Sequence, residues 1–222
     1  MRTAKLLLLI LALLAPGAGV ASPDTILQTD AQGQRQVLQT QAIAVRDDSS
    51  AIVYKHFDLK QRLVIKVQLN QSSLPYEIVR SSASSRQQIV GLWKQFGYTA
   101  TVTDQAGKKT TVYDAYLDFF PPPGGVFLEM VPARTNLPLL LSNGGADEVD
   151  FADLALVQIH GRQLTLTLAN GRIETGKLIP PTSRPAVPNF MGITSHYAPE
   201  SEKVYDFSLP LTRIRQIHFE NH

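Results

Sequence analysis

Two carboxylates close together in the chain have the residue type that acid–base catalysis uses. Asp114 and Asp118 flank Tyr116 in a run that favours a β-strand, and a spacing of four places them on one face. Carboxylate pairs that hydrolyse glycosides lie about 5 to 9.5 Å apart. At about 3.3 Å of rise per residue these two lie about 13 Å apart, which argues against a catalytic pair.

Two of the five histidines occupy matching places in two similar segments. His160 and His218 could therefore face each other around a metal ion. Each follows an isoleucine in a predicted strand, so alternation points both of them outward to solvent. A metal centre also needs three or four converging ligands. The sequence therefore predicts neither a metal site nor a bound cofactor.

A cluster of acidic residues raises the question of calcium binding. Asp147, Glu148, Asp150 and Asp153 lack the glycine-centred loop and the ligand spacing of an EF-hand. They alternate with apolar residues, which favours a solvated face of a strand.

The common motifs of nucleophilic hydrolases and of nucleotide-binding loops do not occur in the sequence. Ser195 and His196 are adjacent, but neighbouring residues of a strand point to opposite faces. We therefore predict no catalytic residue. A hydrolase that acts on an envelope polymer, with Asp114, Asp118 or His196 in a cleft, is the enzymatic alternative.

Aromatic residues and an arginine in predicted loops suggest a binding surface instead. Phe119 and Phe120 precede the rigid run Pro121–Pro123, and Arg134 lies in a proline-bounded segment. Aromatic residues and arginine in loops are typical of binding hot spots. We predict that Phe119, Phe120 and Arg134 bind a partner. In the alternative interpretation, both phenylalanines fill the core where the sheet turns.

The first residues have the pattern of a secretory signal peptide. Arg2 and Lys5 precede the apolar run Leu6–Ala15, and the small residues Gly19 and Ala21 occupy both recognition positions of a signal-peptidase site. The apolar run is about half the length that a membrane span needs. We predict that residues 1–21 are cleaved, that the mature chain is periplasmic or extracellular, and that it does not insert stably into a membrane.

Composition excludes several classes of function. The chain has 21 Lys+Arg and 19 Asp+Glu, so removal of Arg2 and Lys5 leaves 19 of each. A mature chain of zero formal net charge has no basic field that attracts nucleic acid. The sequence has no cysteine, so no disulfide can form.

The N-terminal half of the mature chain favours strands and one helix. Residues 22–41 are polar and predict a partly ordered lead-in. Strands are predicted over Ala42–Val45 and Ala51–Leu59, and strict alternation over Leu63–Leu69 predicts a half-buried strand.

The helix is predicted over residues 85–96. Ser85 and Gln88 form a capping-box pattern at its start. Ile89, Leu92, Trp93 and Phe96 then recur at the spacing of one apolar face, so we expect this face to pack on a sheet. Gly97 follows where a left-handed C-cap residue is expected.

The rest of the chain favours hairpins and proline-rich loops. The predicted strands and loops are Tyr98–Thr103, Lys109–Leu117, the interruption Phe119–Gly125, Val126–Val131, the loop Pro132–Pro138, Leu164–Leu168, Arg172–Ile179 and the loop Pro180–Pro188. Asn170-Gly171 is a strong two-residue hairpin signal. The fold class is therefore α+β, mainly antiparallel β. An α+β portion over residues 42–145 precedes a small β-barrel-like portion over residues 146–222.

Two segments of the chain resemble each other. Residues 150–160 and 206–218 both begin with Asp-Phe and end with Gln-Ile-His. Residues 160–220 contain a strand–Asn-Gly–strand unit and end in a Pro-Leu-x-x-Ile-x-x-Ile pattern. In these features the segment resembles the small Sm-like or SH3-like barrels of uncharacterised bacterial envelope proteins. The resemblance implies a fold. It does not imply RNA binding, because Ile179–Thr182 stands where RNA-binding Sm proteins carry their base pocket.

Together these patterns predict an exported, non-catalytic envelope protein that recognises another protein or a wall component. A sheet edge or the loops around Phe119 and Arg134 would make the contact. The alternatives are the hydrolase described above and a small-ligand carrier with a closed apolar cavity. The sequence leaves the partner's identity and the oligomeric state open.

Overall fold

A computed structural model describes residues 21–46, 51–58, 63–70, 76–125, 133–181, 185–201 and 203–220 of the 222-residue chain. The helix α1 spans Ala83–Phe96. The strands are β1 (Asp24–Thr29), β2 (Arg35–Arg46), β3 (Ala51–Asp58), β4 (Leu63–Asn70), β5 (Tyr76–Val79), β6 (Ala100–Asp104), β7 (Lys109–Phe120), β8 (Asn136–Leu141), β9 (Ala146–Asp150), β10 (Leu154–His160), β11 (Gln163–Leu168), β12 (Ile173–Leu178), β13 (Val187–Ile193), β14 (Phe207–Pro210) and β15 (Ile214–Phe219). The predicted α+β, mainly antiparallel class is confirmed.

The first five strands form one antiparallel sheet in the order β4-β3-β2-β1-β5. β1 and the first half of β2 lie in the polar stretch for which the sequence favours only partial order. This stretch is ordered by pairing, because β1 lies between β2 and β5 and Ile26 at its centre is fully buried. Most of the predicted signal peptide lies outside the described residues. Among those described, no helix has the length and apolarity to cross a membrane.

The helix exists where the sequence predicts it, but its cap and its buried face differ from the prediction. The cap is Ser82, whose hydroxyl accepts a hydrogen bond from the backbone N–H of Ser85 at 3.2 Å. The buried face carries Arg86, Val90 and Trp93. Leu92 and Phe96 of the predicted apolar face are 40% and 39% exposed, because the helix packs through the adjacent face.

The other ten strands form one curled sheet in the order β14-β13-β7-β6-β15-β10-β11-β12-β8-β9. Three predicted loops overlap strands of this sheet, and one of them is Pro180–Pro188, whose last two residues begin β13. β7 continues through Phe119 and Phe120, which lie opposite Pro188 and Val187 of β13. β8 includes Pro138, which the sequence places in a loop. The prediction of an extended run over 126–131 lies outside the described residues.

The curled sheet contains two copies of a five-strand unit. Repeat 1 comprises β6 to β10, repeat 2 comprises β11 to β15, and a 3-10 turn joins the fourth strand to the fifth in each. These turns are Phe151–Asp153 and Leu211–Arg213. β10 and β15 pair with Val157 opposite Ile217. Outward from this pair, the first to fourth strands follow in the same order on both sides. The similarity of the two segments in the sequence therefore reflects a structural duplication.

The two repeats exchange strands. β6 and β7 of repeat 1 pair with β15 and β13 of repeat 2, while β11 and β12 of repeat 2 pair with β10 and β8 of repeat 1. Equivalent backbone hydrogen bonds join the two repeats at both exchanges. Gln105 N–H donates to Arg213 O at 3.0 Å, and Ala169 N–H donates to Asp153 O at 2.8 Å. The predicted barrel-like curl is present, but each half of it uses strands from both sides of residue 145.

Candidate functional site

The residues predicted to bind a partner do not form one exposed surface. Phe119 is 4% exposed and belongs to the main core cluster, so it is not available to a partner. Phe120 is half-buried and packs beside Tyr116 and Met191. Arg134 is half-buried and forms an ion pair with Glu148, with 2.8 Å between Nη1 and Oε1. Both phenylalanines lie in β7 and not in a loop, because the strand continues to Phe120.

The residues of the enzymatic alternative lie in different environments. Asp114 and Asp118 are buried, and His196 is exposed. Asp118 accepts a hydrogen bond from the N–H of Phe119. None of the three lines either of the two grooves described below.

The two matching histidines also lie apart from each other. His160 is opposite Gln163 on β11, and His218 is opposite Leu156 on β10. Both are exposed. Among the described residues, no group of three or more potential metal ligands comes together.

A fully buried ion pair joins the small sheet to the curled sheet. Lys55 of β3 and Asp114 of β7 are both 0% exposed, and Lys55 Nζ lies 2.5 Å from Asp114 Oδ2. Lys55 Nζ also donates to the carbonyl oxygen of Val204 at 3.3 Å. It lies 4.6 Å from the ring centroid of Trp93 and 5.0 Å from that of Tyr116. Burial raises the pKa of the Asp114 carboxyl, and the Lys55 cation opposes this rise.

Asp114 has an unusual backbone conformation. Its φ is +49°, and no other non-glycine residue in the described part of the chain has a positive φ. It lies at a bulge, where Tyr113 pairs with Ile193 and Tyr116 pairs with Met191, so two residues of β7 oppose Gly192. Conformations of this kind are strained for residues with a side chain and persist only where the surroundings hold them.

Two glycines hold this bulge by allowing a close backbone approach. A Cβ on Gly97 would lie 2.7 Å from Asp114 Cα and 2.6 Å from Trp93 O. A Cβ on Gly192 would lie 2.6 Å from Tyr113 O. Gly97 has φ −73°, so the left-handed C-cap predicted for it is wrong. Gly97 is required because the strand passes close to it.

We expect Gly192→Ala to destabilise the protein by about 1–3 kcal/mol, because the added methyl group overlaps backbone that cannot move aside. Gly91→Ala is the matched control. Gly91 is an exposed residue inside α1 with open space at its Cβ, so alanine there should stabilise by about 0.5–1 kcal/mol. Urea unfolding of both variants measures the difference. Equal effects would refute the close packing at the bulge.

A second buried ion pair ties α1 to the small sheet. Asp24 of β1 is fully buried against Arg86 of α1. Asp24 Oδ1 accepts hydrogen bonds from Ser81 N–H at 2.9 Å and Ser81 Oγ at 2.8 Å. Arg86 Nε donates to Pro199 O at 2.7 Å. Neither ion pair is predicted from the sequence. The sequence contains one indication of the second pair. The spacing of Arg86, Val90 and Trp93 places a charged residue on the buried face of the helix.

Two grooves on the curled sheet are related by the duplication. Each lies between the turn that joins the first two strands of one repeat and the 3-10 turn of the other. The acidic groove, about 430 Å³, is lined by Leu168–Asn170 and Arg172 on one side and by Asp147–Val149 and Asp153 on the other. The twin groove, about 420 Å³, is lined by Asp104–Ala106 on one side and by Leu209, Thr212 and Arg213 on the other.

The two grooves differ in charge at an equivalent position. Asp153 in the acidic groove accepts the same backbone hydrogen bond as Arg213 in the twin groove, so the two residues correspond. The duplication has therefore kept the shape of the groove and reversed the charge at this position. A ligand selected by charge fits only one of them.

Two of the four charged side chains that line the acidic groove, Glu148 and Arg172, pair with other side chains. Glu148 binds Arg134 and Asn136. Arg172 contacts Glu174 with 2.6 Å between Nη2 and Oε1. Asp147 and Asp153 are exposed on the rim. The groove therefore presents negative charge to solvent.

An edge strand borders the acidic groove. β9 is last in the order of the curled sheet, so within the described residues only β8 pairs with it. Asp147, Glu148 and Val149 belong both to β9 and to the groove wall. Within the described residues, the acidic groove and the unpaired side of β9 thus form one continuous surface.

Searches for similar proteins found no family model, no curated protein and no solved structure that significantly matches this chain.

Proposed function

We propose that the protein is an exported, non-catalytic recognition protein that binds an extended basic segment of a partner protein. The segment lies along β9 and places cationic side chains in the acidic groove. The observation that carries this proposal is the continuity of the acidic groove with β9, whose outer side is unpaired in the described part of the chain. Export follows from the signal-peptide pattern of residues 1–21.

The edge of β9 supports an extended ligand. A terminal strand presents backbone N–H and C=O groups on its outer side, and a peptide strand can pair with them. Such pairing supplies affinity without sequence preference. Selectivity then depends on the side chains beside the strand.

The rim charges support a basic ligand. Asp147 and Asp153 are exposed carboxylates, while the nearby arginines, Arg134 and Arg172, are engaged by Glu148 and Glu174. Opposite charge draws a cationic segment to this rim, and like charge disfavours acidic segments and self-association at the edge. Arg134, predicted to contact the partner directly, positions Glu148 in this proposal.

The test measures binding of an eight-residue peptide of alternating lysine and valine by fluorescence anisotropy. We expect Asp147→Asn/Asp153→Asn to weaken binding about tenfold, because two rim charge interactions are lost. Glu200→Gln/Glu220→Gln removes the same charge from two exposed positions away from the groove and should leave binding unchanged.

A second peptide separates strand pairing from charge attraction. N-methylation of alternate amides keeps every lysine but removes the donors that pair with β9, and it should abolish binding. Equal binding of the methylated peptide, or equal loss in both double variants, would show that the protein attracts cations without a specific site and would overturn the proposal.

A further inference from the structure

The buried pair of Lys55 and Asp114 has no role in the proposed recognition surface. It lies where the two sheets meet, and neither side chain reaches solvent. A fully buried ion pair is costly, because both charges lose their hydration. The arrangement therefore calls for a reason beyond the attraction of two charges.

Burial raises the free energy of both charged groups, while the ring faces of Trp93 and Tyr116 stabilise the ammonium of the resting ion pair. The rings of Trp93 and Tyr116 cover the amine and exclude water, and the Tyr116 hydroxyl is itself buried without a hydrogen-bond partner among the described residues. In such a site a proton can pass from the ammonium to the carboxylate, because neither charge is hydrated. The raised pKa of the Asp114 carboxyl agrees with this.

The geometry holds the two groups together. Asp114 is fixed in a strained conformation by the close approach of Gly97 and Gly192, and Lys55 reaches it from the other sheet at 2.5 Å. Well-oriented groups within one molecule react as if at an effective concentration of about 10⁵–10⁸ M. The exclusion of water also favours condensation over hydrolysis.

We propose that Lys55 and Asp114 form an intramolecular amide bond. A proton moves from the Lys55 ammonium to the Asp114 carboxylate, and the neutral amine then attacks Cγ of the carboxylic acid. The bond from Cγ to the hydroxyl oxygen breaks, and this oxygen leaves as water with a proton from the attacking nitrogen. The ammonium and the carboxylate thus become one amide and one water molecule, with no oxidant or other co-reactant.

The bond would link the small sheet to the curled sheet covalently. The chain has no cysteine, so a disulfide cannot serve this purpose. A link between residues 55 and 114 restricts the unfolded chain as a disulfide does. In a protein of this size we expect the linked chain to melt about 10 °C higher than an unlinked one.

The test is the intact mass of the purified full mature chain after prolonged incubation. We expect a loss of one water molecule, about 18 Da, as the balance of amide formation requires. Fragmentation of a protease digest should give one linked peptide pair that contains Lys55 and Asp114. Lys55→Arg, which keeps the positive charge but cannot form this amide, should show the full mass.

Each outcome decides the proposal. Far-UV circular dichroism first establishes that both proteins are folded. A folded wild-type chain at full mass would overturn the amide and leave a buried ion pair. The same loss of mass in Lys55→Arg would also overturn it, because the water would then come from another site.

Discussion

A chain that ends at His160 is expected to lose the curled sheet altogether. Removal of repeat 2 takes β13 and β15 from the hairpin of β6 and β7, takes β12 from β8, and takes both neighbours from β10. Isolated two-stranded hairpins are marginally stable at best in water. Hydrogen exchange read by mass spectrometry should show no protection over 100–160 in the fragment 22–160.

Addition of the missing part is the control for this prediction. A peptide of residues 161–222 contains every strand that the exchange requires, so mixing the two fragments should restore slow exchange in β6 and β7. Slow exchange in the shorter fragment alone would contradict the strand exchange. It would show that repeat 1 folds by itself.

Lys55→Met is expected to lower the free energy of unfolding by about 3–5 kcal/mol. The substitution leaves the Asp114 carboxylate buried without its cation, and an uncompensated buried charge is strongly destabilising. Asp114→Asn should act in the same direction, because it leaves the Lys55 ammonium buried without a counter-charge. Urea unfolding at constant m-value measures both.

The double variant Lys55→Met/Asp114→Asn separates the energy of the interaction between the two side chains from the effect of each substitution alone. We expect it to lose less stability than the sum of the single variants, because it contains no buried charge. The exposed pair of Arg35 and Glu77 is the matched control, and its removal should cost less than about 1 kcal/mol. Additive losses at Lys55 and Asp114 would contradict a direct interaction.

The intact mass of the wild-type protein is measured before this comparison. Either single substitution also prevents the proposed amide, so only protein at full mass reports on the ion pair. Protein that has lost water reports on the covalent link, and there the loss of stability on substitution should be larger.

Local physics accounts for the features that were predicted correctly. Alternation over Leu63–Leu69 and Leu164–Leu168 fits β4 and β11, because side chains of a strand point alternately to its two faces. Gly171 adopts φ +82° in the turn predicted from Asn170-Gly171. These features depend on a few neighbouring residues, so they can be inferred without knowledge of the rest of the fold.

The helix shows where local patterns become ambiguous. Ser82 and Ser85 are both suitable cap residues, and the choice between them depends on where the helix meets its neighbours. Arg86 makes the buried face difficult to recognise in the sequence, because a charged residue is buried only where it has a partner. That partner, Asp24, lies in β1 and cannot be identified from the helix.

The amino-acid sequence by itself determined the class of fold, the position of the helix, most strands and the duplication. The class, the helix and the strands depend on the spacing of apolar residues and on turn chemistry within short segments, and the duplication is visible as the likeness of residues 150–160 and 206–218. Only the tertiary structure decided which strands pair across the two repeats, which charges are buried together, and where a groove meets an open edge. Strand pairing and ion pairing join residues far apart in the chain, and many pairings satisfy the same local pattern equally well. The packing of the whole core selects among them.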